Sequence, residues 1–144
     1  MAGNLWPKSH WQETSAVVGP FAFVWIRQYA NVSALHFHNG SPPVAKVLAL
    51  VKQGQQITVA VPDSERETVA LLYRPGAPLG LRGGEPLVTF QACNYGNTSW
   101  AQATEFNGGI YVAKPMCLSL LVSVNGGQLE PIDVPIGLGR RTCT

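Results

Sequence analysis

Two histidines separated by a single residue are the feature of this sequence with the clearest chemical potential. His36 and His38 lie in residues 33–38, a short run rich in β-forming side chains. Alternate residues of a strand share one face, so the two imidazoles would lie close enough to ligate one metal ion. The favoured interpretation is different: a polar face on an edge strand that turns directly afterwards at Asn39-Gly40.

The same His-x-His spacing defines an alternative function. Jelly-roll metalloenzymes of the cupin type use such a pair, followed by a glutamate and a third histidine. In this chain the next acidic residue is Asp63, so the match to that pattern is incomplete. A metal-dependent enzyme using His36 and His38 is therefore kept as an alternative, and neither a metal nor another cofactor is predicted.

A second candidate region, residues 94–109, mixes aromatic side chains with amides and hydroxyls. Flat aromatic surfaces flanked by polar groups suit a weakly charged ligand such as a carbohydrate or a peptide. The predicted binding residues are Tyr95, Asn97, Trp100 and Glu105. The competing interpretation is that Trp100 folds back, together with Phe106, to cap the end of the fold.

Composition and motifs argue against several other classes of protein. The sequence lacks Gly-x-Ser-x-Gly, Ser-x-x-Lys and P-loop motifs, and its eight acidic residues are scattered. The net charge is only +2, and Arg140-Arg141 is the only adjacent basic pair, so nucleic-acid binding is not expected. No run of 18 apolar residues is present, so no membrane insertion is expected. Enzymatic activity is left uncertain for this protein, and a non-enzymatic role is favoured.

The elements that must position these residues are predicted to be β-strands. Charged residues make up only 12% of the chain, and glycine and proline are frequent, which is typical of a sandwich rather than a helical fold. The pattern predicts a single antiparallel β-sandwich, Ig-like or jelly-roll-like, with an N-terminal arm at residues 1–12 and the domain at 13–144. Nine strands are expected, with a final extension at 131–136: 16–18, 21–29, 33–38, 44–51, 56–61, 68–74, 87–93, 110–113 and 118–124.

Alternation and turn residues refine this prediction. Residues 118–124 place only apolar side chains on one face, which should point inward. Residues 44–51 are apolar on both faces, which indicates a central strand or one covered by the N-terminal segment. Asn125-Gly126-Gly127 predicts a tight hairpin, and residues 52–55 predict another between 44–51 and 56–61. The proline- and glycine-rich stretch at 74–84 is expected to be a long loop.

Three cysteines allow at most one internal disulfide. If the strands ending at Cys93 and starting at Cys117 are antiparallel neighbours, both side chains lie at one end of a sheet and on its polar face. We therefore expect a Cys93–Cys117 disulfide. Pairs that include Cys143 remain open, and so does a fully reduced, cytosolic protein.

The C-terminal part also resembles a group of known proteins. The resemblance rests on Val88–Cys93, Thr104–Val112, Pro115–Val122 and Gly139–Cys143. These segments resemble small, uncharacterised exported or cell-envelope β-sandwich proteins of high-GC Gram-positive bacteria. The resemblance implies an extracytoplasmic location, although the sequence as given begins without a signal peptide, and it supports a disulfide. It brings no catalytic residues.

Three hypotheses for function follow. The first is a secreted or cell-envelope β-sandwich domain that binds a polar ligand or a protein partner through its end loops. The second is the metal-dependent enzyme described above. The third is a structural β-sandwich protein that assembles with itself through its sheet edges. The sequence leaves the oligomeric state and the ligand's identity open.

Overall fold

The computed structural model describes residues 11–31, 43–74, 84–94 and 99–143, and these form an all-β fold. They contain no α-helix, only short 3-10 turns between strands. The predicted strand at 33–38 and most of the 74–84 loop lie outside the described residues. The strands are β1 (Ala16–Val18), β2 (Phe21–Val24), β3 (Val44–Lys46), β4 (Leu48–Val51), β5 (Gln56–Ala60), β6 (Val69–Leu72), β7 (Leu87–Gln91), β8 (Thr104–Phe106), β9 (Gly109–Val112), β10 (Met116–Val124) and β11 (Leu129–Ile136).

The strands pair into three antiparallel sheets, in the orders β1-β2-β4-β8, β11-β10-β5-β7 and β3-β9-β6. The first and third sheets form a single layer. Lys46 opposes Gly109 and Ala49 opposes Phe106, so the pairing keeps one register across the break between them. The Val47 N–H also donates to the Gly108 carbonyl at 3.2 Å, inside that break. The strand predicted at 44–51 is therefore present but interrupted at Val47.

Two tyrosines donate hydrogen bonds to the backbone at this interruption. The Tyr73 hydroxyl donates to the Val47 carbonyl at 2.7 Å, and the Tyr29 hydroxyl donates to the Lys46 carbonyl at 3.1 Å. Burial raises the pKa of the Tyr73 phenol above its usual value, so the hydroxyl stays protonated and able to donate. These bonds supply partners to carbonyls at a point where the strand ladder is disturbed.

The main core lies between this joined layer and the β11-β10-β5-β7 sheet. Leu118, Leu120 and Val122 are fully buried there, which confirms the inward face predicted for β10. Aromatic rings of both layers meet at the centre. Phe21 stacks on Phe90 with ring centroids 6.0 Å apart, and Tyr73 meets Phe90 edge-on at 5.0 Å. The predicted sandwich-like all-β fold is thus confirmed.

Two local predictions fail for identifiable reasons. The strand predicted at 21–29 ends at Val24, because Trp25 adopts φ 59° and the chain continues as a 3-10 helix, Ile26–Ala30. Residues 52–55 do not join a hairpin, because β4 and β5 belong to different sheets and the segment crosses between them. The hairpin at Asn125 is confirmed. Asn125 and Gly126 both have positive φ, and the Gly127 N–H donates to the Val124 carbonyl.

The predicted disulfide is also wrong. Cys117 pairs with Cys143, while Cys93 is free and exposed. β5 lies between β7 and β10 and is antiparallel to both, so β7 and β10 run parallel. The end of β7 and the start of β10 therefore lie at opposite ends of the sheet, whereas the antiparallel β11 brings the chain back to Cys117. The 26-residue separation corresponds to about 3.5 kcal/mol of loop entropy.

Among the described residues, no helix has the length and apolar character needed to span a bilayer.

Candidate binding groove on the outer face

The side of the joined layer that faces away from the main core is called the outer face here. Strand alternation places Val44, Lys46, Leu48 and Leu50 on it, since Ala45, Val47, Ala49 and Val51 all point into the core. On β8 and β9 the same argument assigns Glu105, Asn107 and Gly109 to the outer face, opposite Leu50, Leu48 and Lys46. This face is unusually apolar for a surface of a sheet, and it divides into two halves.

One half, which we call the covered half, is sealed by tryptophans. Leu50, Ala22 and Ala103 are buried there together with Trp11, in a cluster separate from the main core. Trp100 packs edge-on against Trp11, with ring centroids 5.5 Å apart. Both alternatives predicted for residues 44–51 apply to β4, which is central in its sheet and has Leu50 buried with Trp11.

The other half, the open half, contains a groove of about 520 Å³. Its floor is apolar and includes Leu48 and Leu72, and polar groups lie at its margins. The described residues that line it are Val24, Trp25, Gln28, Val44, Lys46, Val47, Leu48, Leu72, Asn107, Gly108 and Gly109.

A second groove of about 520 Å³ continues the first towards β6 and β8. The two share Leu72, Asn107 and Gly108, so they form one surface, which we call the outer-face groove. The second part adds Glu105 and Arg74 to the lining. The outer-face groove therefore combines an apolar floor with a carboxylate, an amide and a guanidinium.

Glu105 is the most informative of these groups. Its Oε1 atom is buried, yet no described group donates a hydrogen bond to it. The neighbouring Arg74 instead directs its Nε to Glu85 Oε1, at 3.3 Å. A buried acceptor without a donor costs free energy, typically about 1–3 kcal/mol. Among the described residues it is the one buried side-chain acceptor without a hydrogen-bond partner.

Trp25 adds a second unusual feature at the margin of the groove. Its φ of 59° lies in the left-handed region, which costs a non-glycine residue roughly 1–2 kcal/mol. Ser15 holds this conformation, because its hydroxyl accepts the Trp25 N–H at 2.8 Å and donates to the Trp11 carbonyl at 2.8 Å. Strained backbone of this kind is concentrated at functional sites.

Gly109 lines the groove without a side chain, and the space around it would not hold one. A Cβ atom at this position would lie 2.8 Å from Val44 Cγ1 and 2.8 Å from the Ala45 carbonyl oxygen. The strands β3 and β9 can approach each other closely only because glycine has no side chain. The Asn107-Gly108-Gly109 sequence thus places an amide beside a stretch of bare backbone.

The sequence-predicted site residues are separated by the structure. Glu105 lines the outer-face groove, whereas Trp100 belongs to the covered half, where the Lys52 Nζ lies 4.7 Å from its ring centroid. Tyr95 and Asn97 lie outside the described residues. Trp25 and Asn107 were missed, although Asn107 belongs to the same polar and aromatic segment as Glu105.

The metal hypothesis gains no support from the described residues, among which no three His, Cys, Asp or Glu side chains form a cluster able to hold an ion. His36 and His38 themselves lie outside those residues. Phe106, predicted to cap the fold, does pack against the main core, with its ring centroid 5.0 Å from that of Phe90.

Chemically, the outer-face groove can accept hydrogen bonds through Glu105, exchange them through Asn107 and cover an apolar surface along Leu48 and Leu72. Comparisons with protein-family models, with curated proteins and with solved structures found no match for this chain.

Proposed function

We propose that this protein is a non-enzymatic binding domain whose outer-face groove holds a neutral saccharide. The observation that carries the proposal is the Glu105 side chain, the one carboxylate among the described residues that line a groove with an apolar floor. A saccharide presents hydroxyl donors at its edge and C–H groups on its faces. It therefore satisfies the carboxylate and covers the apolar floor at the same time.

The polar groups of the groove favour a saccharide over a purely apolar ligand. Asn107 is exposed, and its amide offers both a donor and an acceptor to a vicinal pair of hydroxyls. Trp25 lines the same groove and provides an aromatic surface for the C–H face of a sugar ring. A few placed polar groups on an apolar surface are the usual composition of a small-molecule site.

Binding without catalysis is favoured by the carboxylate count of the groove. Glu105 is the one carboxylate among the described residues that line either part of it. Glycoside hydrolysis ordinarily requires two carboxyl groups placed across the scissile bond. One acceptor without an acidic partner is suited to holding a sugar hydroxyl rather than to cleaving a glycosidic bond.

The proposed location is outside the cytoplasm, in the secreted or cell-envelope fraction. The Cys117–Cys143 disulfide supports it, because such bonds persist mainly in oxidising compartments. The resemblance of the C-terminal part to exported proteins points the same way. Polysaccharides of the envelope would then be accessible to the outer-face groove.

The test is binding of the oxidised protein to immobilised neutral oligosaccharides: maltohexaose, cellohexaose and chitohexaose. We expect saturable binding to at least one of them, weakened tenfold or more by Glu105→Ala, which removes the acceptor. Asn107→Ala should weaken the same interaction by threefold or more.

Glu67→Ala is the matched control, because Glu67 is an exposed carboxylate that lines neither part of the groove. It should bind as the wild type does. Absence of binding to all three saccharides, or equal losses in the Glu67 and Glu105 variants, would reject the proposal.

A further inference from the structure

Three arginines lie together beside the C-terminal segment, away from any catalytic motif. Arg27, Arg140 and Arg141 line a cleft of about 340 Å³, which we call the arginine cleft. No described residue that lines it is acidic. An adjoining cleft of about 510 Å³ shares Arg27 and Arg141 and adds Glu13. The only adjacent arginines of the sequence thus gain a third, more than 100 residues away in the chain.

The backbone around the arginine cleft is firmly held. The Gly137 N–H donates to the Tyr29 carbonyl and the Gly139 N–H to the Ala30 carbonyl, both at 2.7 Å. Both glycines have positive φ, which residues with side chains rarely adopt. These bonds fix the C-terminal segment against the 3-10 helix that carries Arg27.

The guanidinium groups are partly oriented as well. Arg27 Nε donates to the Ser15 carbonyl at 3.0 Å, and this bond fixes the edge of the guanidinium on which Nε lies. Arg140 donates through Nε to the Thr142 carbonyl at 3.0 Å and through Nη2 to the Cys143 carbonyl at 3.4 Å. Arginines held in this way lose less side-chain entropy when they bind an anion.

We propose that the arginine cleft binds a phosphate group. Three guanidiniums outnumber the one acidic side chain nearby, Glu13 of the adjoining cleft, so the site attracts an anion, and a phosphate near pH 7 carries more charge than a carboxylate. Phosphate oxygens also match the paired N–H groups of arginine. This site does not depend on the saccharide proposal, because neither Arg27, Arg140 nor Arg141 lines the outer-face groove.

The Cys117–Cys143 disulfide strengthens the site. Arg140 and Arg141 stand immediately before Thr142 and Cys143, and the disulfide ties the end of this segment to β10. When the disulfide is reduced, the C-terminal segment is still held by the Gly137 and Gly139 hydrogen bonds but is no longer tied to β10. Reduction should therefore weaken phosphate binding without removing any of the three charges.

The test is titration of the oxidised full-length protein with inorganic phosphate, at constant ionic strength set with sodium chloride. Arginine Nε–Hε resonances, observed by NMR, report on each guanidinium. We expect saturable shifts for Arg27, Arg140 and Arg141, with fivefold or greater weakening in both Arg27→Gln and Arg141→Gln. Arg66→Gln is the matched control, since Arg66 is an exposed arginine paired with Asp63 at 3.1 Å; it should leave the affinity unchanged.

A hexose 6-phosphate titrated in parallel distinguishes the source of the phosphate. Gln28 lines both the arginine cleft and the outer-face groove, so tighter binding of the hexose phosphate identifies a phosphorylated saccharide. Equal binding identifies free phosphate. Shifts that do not saturate, or affinities that Arg27→Gln and Arg141→Gln leave unchanged, would overturn the proposal. Reduction with dithiothreitol should raise the dissociation constant at least threefold.

Discussion

The two halves of the outer face have the same strands beneath them but different surroundings. Leu50 and Leu48 are two residues apart on β4 and point to the same side, yet Leu50 is fully buried whereas Leu48 is half-buried and lines a groove. Leu50 belongs to the buried cluster of Trp11, whereas Leu48 packs against that cluster, as Trp25 and Trp100 do, and stays partly exposed. The covered half is therefore fully packed, while the open half keeps apolar side chains partly exposed.

This difference shows that a small sandwich can pack one part of a sheet face and leave the rest partly exposed. Covering the whole outer face would bury more apolar area, at about 25 cal/mol per Å². Leaving half of it open gives up part of that stabilisation.

The largest expected effect compares Leu50→Ala with Leu48→Ala. We expect Leu50→Ala to lower the free energy of unfolding by about 3 kcal/mol, because it opens a cavity under the tryptophans. Leu48→Ala should cost about 1 kcal/mol, because the side chain is already partly exposed. Urea denaturation measures both. Equal losses in the two variants would show that the two halves are equally well packed.

The inner faces of the sandwich were readable from the sequence because they depend on a period of two residues. Leu118, Leu120 and Val122, and likewise Ile57 and Val59, recur at every second position, mostly between more polar neighbours, and all are fully buried. β8 was missed because Thr104–Phe106 is short and only one of its three residues is apolar.

The disulfide and the groove were harder to predict because both depend on strand order. Cys117 faces Cys143 only because β11 returns beside β10, and Asn107 joins Leu48 only through the register of β4 and β8. Trp25 leaves the strand because Ser15, ten residues earlier, binds its N–H. Local patterns contain no information on contacts of this kind.

Trp100→Ala tests the assignment of Trp100 to the covered half. We expect a loss of about 2 kcal/mol, since a half-buried tryptophan gives up contacts with Trp11 and with the Lys52 ammonium. Saccharide affinity should stay unchanged. Lys52→Gln removes only the contact between the ammonium and the ring, and it should lower the free energy of unfolding by about 0.5 kcal/mol. Lost binding with unchanged stability would instead place the binding surface around Trp100.

Substitutions at Trp25 test the strain at the boundary between the two halves. At a left-handed position Trp25→Gly should be more stable than Trp25→Ala by about 0.5–1 kcal/mol, since the strain exceeds the entropy cost of glycine. The opposite order is expected for Gln12, an exposed residue of the 3-10 helix Trp11–Thr14. Thermal unfolding of the four variants measures both differences. If the glycine and alanine variants had the same order of stability at Trp25 and at Gln12, the backbone of Trp25 would not be strained.

Glu65 gives the smallest expected effect and serves as the reference for Glu105. Its Oε1 accepts the Ser119 N–H at 3.2 Å, whereas Oε1 of Glu105 accepts nothing from the described residues. Burial raises the pKa of Glu65 above the usual 4.5, the Ser119 hydrogen bond lowers it, and the charge of Asp133 raises it further. The net shift is upward.

Because the folded-state pKa of Glu65 is the higher one, the folded protein binds more protons between the unfolded and folded values. The contribution of Glu65 to stability is therefore complete at a pH below its pKa in the unfolded chain. It is lost as the pH rises through its pKa in the folded protein. We expect Glu65→Gln to unfold at a higher urea concentration than the wild type at neutral pH. The gain in the free energy of unfolding should be under about 1 kcal/mol, because the side chain is partly exposed. The advantage should shrink towards pH 4. An advantage that is independent of pH between 4 and 7 would show that the substitution acts through packing rather than through the charge of the carboxylate.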